Sequence, residues 1–384
     1  MKKLFIPILL GLVAFKSTAQ DNTGIENRVI TTGVPFVLIA ADPRAAAMGD
    51  IGVVTSADAF SQQWNPAKYA FSLSKQGVGV TYTPYLNKLV NDIFLGNLTY
   101  YNRLSERSAV AASLRYFRLG EIPTQETAEQ IPLVLSPNEL TFDVSYSLRL
   151  SERFAMAVAG RYLRSDLKLQ VLQEDASAAS SFAVDIAGYY QSEEIPYNDF
   201  DGRWRMGFNI SNIGPKLKYD EVGSESNLPT NLALGGGFDF ILDEYNKVGV
   251  SAQVNKLLVP TPSDSNDDGI INSEDDYYNE SFVSGMVSSF GDAPDGFSEE
   301  LKEFTWALGA EYWYQDVFAL RGGYFNESDE KGGRKFASFG AGFKYTAINI
   351  DISYLFGIGK VVTPLDGTLR FGLTFTFGDT YDEY

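Results

Sequence analysis

The sequence predicts an all-β protein: a 14-stranded antiparallel transmembrane β-barrel with a short N-terminal plug. Three observations predict it. Amphipathic segments of about ten residues recur along the chain, apolar on one face and polar on the other, as barrel-spanning strands require. The chain opens with an export signal. No later stretch offers the roughly eighteen continuous apolar residues of a spanning helix.

Taken in order, residues 1–19 read as a signal peptide. Lys2 and Lys3 form a basic start, Leu4 to Phe15 an apolar core, and Ser17-Thr18-Ala19 a small-x-small cleavage site. The mature chain is expected to begin near Gln20. Export combined with many amphipathic strands places it in a Gram-negative outer membrane, in contact with lipid.

Residues 20–76 do not alternate. They contain Ala41-Asp42-Pro43-Arg44-Ala45-Ala46-Ala47-Met48-Gly49-Asp50 and Asp58-Ala59-Phe60-Ser61-Gln62-Gln63-Trp64-Asn65-Pro66-Ala67. The alanine run favours a short helical turn, and Asn65-Pro66 suits an N-cap followed by proline at the first helical position. Phe36 to Ile39, Ile51, Val53, Val54 and Trp64 are too apolar for a solvated tail. The expectation is a plug folded back into the lumen; the alternative is a periplasmic tail.

Residues 77–384 are then the barrel. The strands are expected at 77–83, 94–103, 108–119, 139–150, 153–164, 179–190, 203–212, 229–240, 246–258, 303–313, 317–325, 335–345, 347–356 and 368–377. From Thr141 to Leu150, Phe142, Val144, Tyr146 and Leu148 share one face, and Thr141, Asp143, Ser145, Ser147 and Arg149 the other. Connections after even strands are mostly short, such as 104–107, 150–153, 314–316 and 346–347, with 191–202 the exception. Those after odd strands are longer, the longest being the acidic loop 259–302, as short periplasmic turns and long outer loops require. Tyr82, Tyr100, Tyr101, Tyr189, Tyr190, Tyr312, Trp313 and Tyr314 fall near strand ends, where interfacial girdles lie. The glycine runs 235–237 and 340–342 stand in strands with no helix behind them. They suit bends or sites beneath plug residues rather than a phosphate loop.

Composition narrows the function. The chain has no histidine and no cysteine. That excludes a Ser-His-Asp triad, a histidine zinc site, disulfides and thiolate chemistry, so no enzyme is expected. A net charge of −18 argues against nucleic acid as partner. The inward positions carry Asp143, Arg149, Arg161, Asp185, Arg203, Arg205 and Asp239, a polarity that leans against a conduit for apolar molecules.

One loop has metal-ligand spacing. In Asp264-Ser265-Asn266-Asp267-Asp268-Gly269-Ile270-Ile271-Asn272-Ser273-Glu274-Asp275, residues Asp264, Asn266 and Asp268 occupy positions 1, 3 and 5 of a calcium loop. Gly269 sits at the turn, Ile270 offers its carbonyl, Asn272 stands at position 9, and Asp275 replaces the usual glutamate at 12. The expectation is a weakly held structural calcium; the alternative is an acidic turn. The apolar loop Ile131-Pro132-Leu133-Val134-Leu135 is either a partner contact or a cover over the barrel mouth.

The hatch-like segments Asp42 to Asp50 and Trp64-Asn65-Pro66-Ala67 resemble the N-terminal hatch of the FadL-type outer-membrane transporters, a family of fourteen-stranded barrels. A narrower likeness covers nearly the whole mature chain. It rests on Ile213-Gly214-Pro215-Lys216, Leu320-Arg321-Gly322-Gly323-Tyr324-Phe325 and Gly332-Gly333-Arg334-Lys335. It continues through Phe339-Gly340-Ala341-Gly342-Phe343-Lys344-Tyr345 and Asp351-Ile352-Ser353-Tyr354-Leu355. In these segments the chain is similar to the PorV family of FadL-like barrels in the type IX secretion system. That resemblance implies a non-enzymatic role. It implies partnership with an SprA/Sov-type translocon barrel and binding of cargo with a C-terminal secretion signal. It also implies transfer of that cargo to a surface attachment complex. It carries over no short binding motif. The rival reading from another class is a FadL-like channel for hydrophobic small molecules.

Overall fold

The computed structural model describes residues 28–381 apart from 87–89, 125–131, 168–177, 220–224, 267 and 360–363; the expected signal peptide, Ile131 and Asp267 lie outside the described residues. Fourteen long strands build one sheet. They are β1 (Ser74–Pro84), β2 (Ile93–Arg103), β3 (Ser108–Leu119), β4 (Asn138–Arg149), β5 (Phe154–Asp166), β6 (Ala179–Gln191), β7 (Asp201–Ile213), β8 (Asn231–Ile241), β9 (Asn246–Leu257), β10 (Thr305–Tyr314), β11 (Phe318–Asn326), β12 (Lys335–Tyr345), β13 (Ile348–Gly357) and β14 (Leu369–Thr380). Each pairs antiparallel with its neighbour in sequence. β14 pairs back onto β1, from Ser74 opposite Thr380 to Tyr82 opposite Phe371, and closes the barrel. Among the described residues no helix is long and apolar enough to cross a membrane.

The alternation in sequence becomes an inside-out protein. Along β4, Phe142, Val144, Tyr146 and Leu148 are 36–49% exposed. Thr141, Asp143, Ser145, Ser147 and Arg149 between them are at most 6% exposed. A soluble protein buries the apolar face; here the polar face is covered and the apolar face looks outward, as lipid requires. β14 repeats the pattern, with Phe371, Phe375 and Phe377 out and Arg370 and Thr374 in.

Tight turns close one end. The turn between β10 and β11 puts both Gln315 and Asp316 in the left-handed region, at φ 55° and 54°, which matches the twist of the flanking strands. At the opposite end the connections are long. Two form short ladders, Ile122–Thr124 with Leu133–Leu135 and Leu217–Lys218 with Glu225–Ser226. The connection after β9 folds into α1 (Asp276–Asn279), α2 (Phe282–Ser288), α3 (Phe297–Glu300) and a 3-10 turn at Leu301–Glu303. The wall has a bulge in β7 between Ile210 and Ile213, where Asn212 sits at φ 62°.

Residues 28–73 run inside the barrel. Four short turns shape this hatch: Pro35–Leu38, Pro43–Ala47, Ser61–Trp64 and Pro66–Phe71. The Asn65 cap is the one expected from the sequence, and Asp42 supplies a second. The Asp42 carboxylate accepts the Ala45 amide, and the Asn65 carboxamide oxygen accepts the Ala67 amide. Ala45, Ala46, Ala47 and Met48 are at most 3% exposed, while Trp64 is half-buried at the edge of a cavity. Small inner-wall residues let the hatch approach. A Cβ on Gly323 would meet the Met48 backbone at 2.1 Å, so this strand position is a contact site rather than a bend.

Candidate functional site

An irregular segment at membrane depth must have every backbone polar group satisfied from within the protein. The barrel wall does this with inward arginines and amides. Arg115 donates to the carbonyl of Val37 at 3.0 Å, Arg149 to Ala70 at 2.9 Å, and Arg103 to Ser72 at 2.5 Å. The Gln253 carboxamide oxygen accepts the amides of both Gly52 and Val53 at 3.1 Å. The Asn65 amide nitrogen donates to Val53 within the hatch and to Gly188 of the wall, each at 3.0 Å. Lys68 is fully buried and donates to the Gly52 carbonyl and the Thr55 hydroxyl.

Two buried ion networks lie in the lumen. In the first, Arg44 of the hatch bonds Glu311 at 2.7 and 3.0 Å and Asp58 at 3.0 Å. Arg321 bridges the same Glu311, at 2.5 Å, to Asp351, at 2.6 Å. In the second, Arg161 pairs with Asp143 and, at 2.9 Å, with Asp185; it also donates to Asn212. The Asn212 amide donates back to Asp185 at 2.7 Å, which fixes the β7 bulge. The inward set expected from alternation is therefore found inside: Asp143, Arg149, Arg161, Asp185, Arg203 and Arg205 are buried, and Asp239 accepts from Arg205 at 2.5 Å.

The same parity would have found Arg103, Arg115, Glu311, Arg321 and Asp351, which the sequence reading did not single out. It also corrects the aromatic girdle. Tyr101, Tyr189 and Trp313 turn into the lumen, because their strand positions fall on the inner face. Tyr101 stacks on hatch Tyr69 at 5.0 Å, Tyr189 meets Phe71 edge-on at 5.5 Å, and Arg321 lies 5.3 Å from the Trp313 ring. The glycine runs lie where plug contact was expected: a Cβ on Gly235 would strike Val53 and Val54, and one on Gly340 would strike Ala47.

At the long-loop end the hatch leaves a cavity of about 440 Å³. One wall is the entering segment, including Val37, Leu38 and Ile39, with Trp64 beside it; the other is the inner face of β7, β8 and β9. A second cavity of about 300 Å³ opens at the short-turn end beside Arg44, Arg205, Glu311 and Arg321.

In the acidic loop, the Asp264 carboxylate accepts the Gly269 amide at 2.8 Å and the Asp268 amide at 3.2 Å. Asn266 contacts Asp268, and Gly269 takes φ 81° at the turn. The first three expected ligands are thus together, and hard oxygen donors suit calcium. Asp275 is turned elsewhere: fully buried, it accepts the amides of Asn272 at 2.8 Å and Ser265 at 2.7 Å. Those amides hold its carboxyl below the usual range. The Ile270 carbonyl accepts from Asn272 at 3.4 Å. A different set, Asp292, Glu300 and Glu303, brings one oxygen each within 4.8 Å of the others, but Lys256 already pairs with Glu300 and Glu303 at 2.6 and 2.7 Å. In the apolar loop, Val134 is 53% exposed.

The fold is that of solved outer-membrane channels. The monoaromatic hydrocarbon channel CymD aligns over 90% of this chain and 99% of its own, at 12% identity and a TM-score of 0.50. A Pseudomonas aeruginosa FadL homologue aligns over 88% and 98%, at 12% identity and 0.49. The Pseudomonas putida toluene transporter TodX aligns over 90% and 97%, at 10% identity and 0.48. No curated protein matches the chain. Residues 22–264 match the family described as type IX secretion system protein PorV. That match spans more than half of the sequence, and with the closed hatch-filled barrel it places the protein in the outer membrane: the chain belongs to the PorV family of the type IX secretion system.

Proposed function

We propose that this barrel is a non-enzymatic carrier in type IX secretion. It binds cargo bearing a C-terminal secretion signal at the SprA/Sov-type translocon and delivers that cargo to the surface attachment complex. The observation that carries the reading is the contrast between lumen and outer end. The lumen holds a hatch bonded to the wall through Arg44, Arg103, Arg115, Arg149 and Gln253. The loop after β9 instead displays Val283, Val287, Phe290, Phe297 and Leu301, each 50–77% exposed. Apolar side chains standing in water beside a membrane mark a surface for protein contact. A structural calcium on Asp264, Asn266, Asp268 and the Ile270 carbonyl, joined by Asp275 once it releases its amides, would brace that loop.

Deleting the gene is expected to leave cargo with C-terminal signals inside the cell or unattached at its surface, with uptake of hydrophobic compounds unchanged. Replacing Val287 and Phe297 with Asp is expected to reproduce the cargo defect while the barrel still folds. Normal secretion with lost uptake would establish the alternative, a FadL-like channel for hydrophobic small molecules.

A further inference from the structure

We infer that the cavity at the outer end of the lumen is a binding site for a neutral carbohydrate, a mono- or disaccharide unit free or as part of a larger glycan. Its volume of about 440 Å³ lies within the range of small-ligand pockets. The chemistry of its walls selects the ligand.

The strand wall is uncharged and rich in groups that both donate and accept. Asn209 and Ser211 on β7 stand beside Asn231 on β8, since Ser211 is registered with Asn231. Three of these polar groups are unspent. The Asn209 residue is 3% exposed; its nitrogen donates to the Trp64 carbonyl, and its buried oxygen has no partner. Ser211 and Asn231 face the cavity without a side-chain hydrogen bond among the described residues. A buried carboxamide left unpaired costs stability, so an occupant that supplies hydroxyls is favoured over one that does not.

The charges on the rim do not change this. Lys331 is paired with Glu303 at 2.9 Å, and Arg334 with Glu327 at 2.8 Å. Asp50 also lines the cavity, and one of its buried carboxylate oxygens has no partner, so it is a further acceptor for a ligand hydroxyl. Leu38 and Trp64 also line the cavity. Gly52 packs so closely against the Trp64 ring that a Cβ there would meet it at 2.1 Å, which fixes the ring in place. A lining that combines an indole, aliphatic side chains and carboxamides complements a sugar, whose ring has an apolar face and a hydroxyl-bearing edge. An aliphatic or aromatic hydrocarbon would satisfy only the apolar part of the lining and leave Asn209, Ser211 and Asn231 unpaired.

The inference goes beyond the secretion reading and does not depend on it. The test uses the full-length barrel in dimethyldodecylamine oxide, a detergent without a sugar headgroup. Maltose, cellobiose, lactose and trehalose are titrated by saturation-transfer NMR, with toluene and decanoate as apolar probes. At least one disaccharide is expected to bind saturably in the millimolar range. Ser211→Val with Asn231→Leu is expected to weaken it about tenfold or more while heat-modifiable gel mobility is kept. Thr32→Trp, which fills the cavity from the hatch side, is expected to abolish binding with the strand wall intact. Absence of binding by all four sugars, binding unmoved by either variant, or saturable binding of toluene or decanoate alone would each overturn the assignment.

Discussion

Arg161 shows what a single inward position does in this barrel. It is paired with Asp143 and Asp185 and donates to Asn212, all on the inner wall and all buried. Removing it leaves two buried carboxylates with only the more distant Arg115, 3.9 Å from Asp143, and breaking a buried pair from one side costs about 3–5 kcal/mol. Arg161→Ala is therefore expected to lower the urea midpoint of the barrel in detergent strongly. Asp143→Asn, which keeps a hydrogen-bonding group, is expected to cost less. A midpoint unchanged for Arg161→Ala would show the network to be dispensable. The position was legible in the sequence because it alternates with Tyr162 and Gly160. Its partners were legible only as inward residues: that Asp143 and Asp185 meet on one arginine follows from the registers of β4 with β5 and β5 with β6, which no local pattern states.

Among elements, the strands were readable and the hatch path was not. Each strand writes a two-residue period into the sequence, and fourteen such segments appear within a few residues of where they were expected. The hatch is held by its own backbone carbonyls and amides, bonded to wall side chains far away in sequence, and a carbonyl leaves no trace in residue type. Asn65 concentrates this. It caps Pro66–Phe71 and ties Val53 to Gly188. Asn65→Ala removes a cap and strands two buried carbonyls, for a loss of about 1–3 kcal/mol. Limited proteolysis should then cut between residues 50 and 70 before any strand is cut.

The acidic loop is a second element with its own tests. Asp264→Ala with Asp268→Ala is expected to increase cleavage between residues 260 and 280 with the barrel folded, and chelator is expected to do the same to the wild type. Chelator without effect would remove calcium from the account. The pH response follows from Asp275. Its carboxyl is held below the usual value by the Asn272 and Ser265 amides, so its contribution is complete above the ordinary carboxylate range and is lost as pH falls through the lowered value. Loop protection without added calcium is expected to be level from neutral pH to about pH 5 and to fall only in stronger acid, below the ordinary aspartate pKa of about 3.9.

At the scale of the whole molecule, the hatch decides what kind of barrel this is. One cavity lies at each end of the lumen, and the Arg44–Glu311–Arg321–Asp351 network and the Asn65 and Gln253 bonds lie along the hatch between them. Closing such a plug onto the wall takes buried charges that are stable only when paired. Opening it would expose them all together, so partial movement is disfavoured. The intact protein is therefore expected to carry no steady ion current in a planar bilayer. Arg44→Ala with Gln253→Ala removes the hatch-to-wall ion pair with Glu311, the pair with Asp58 and two amide anchors, and is expected to give intermittent currents, and deletion of 28–73 a steady one. The same variants separate the two functional readings. If cargo is handled at the outer loops, Arg44→Ala with Gln253→Ala still supports secretion even though its lumen leaks. If the lumen is the working path, secretion or uptake changes in step with the current. A wild-type barrel that conducts steadily would mean the hatch does not seal, and the contrast that carries the secretion reading would be lost.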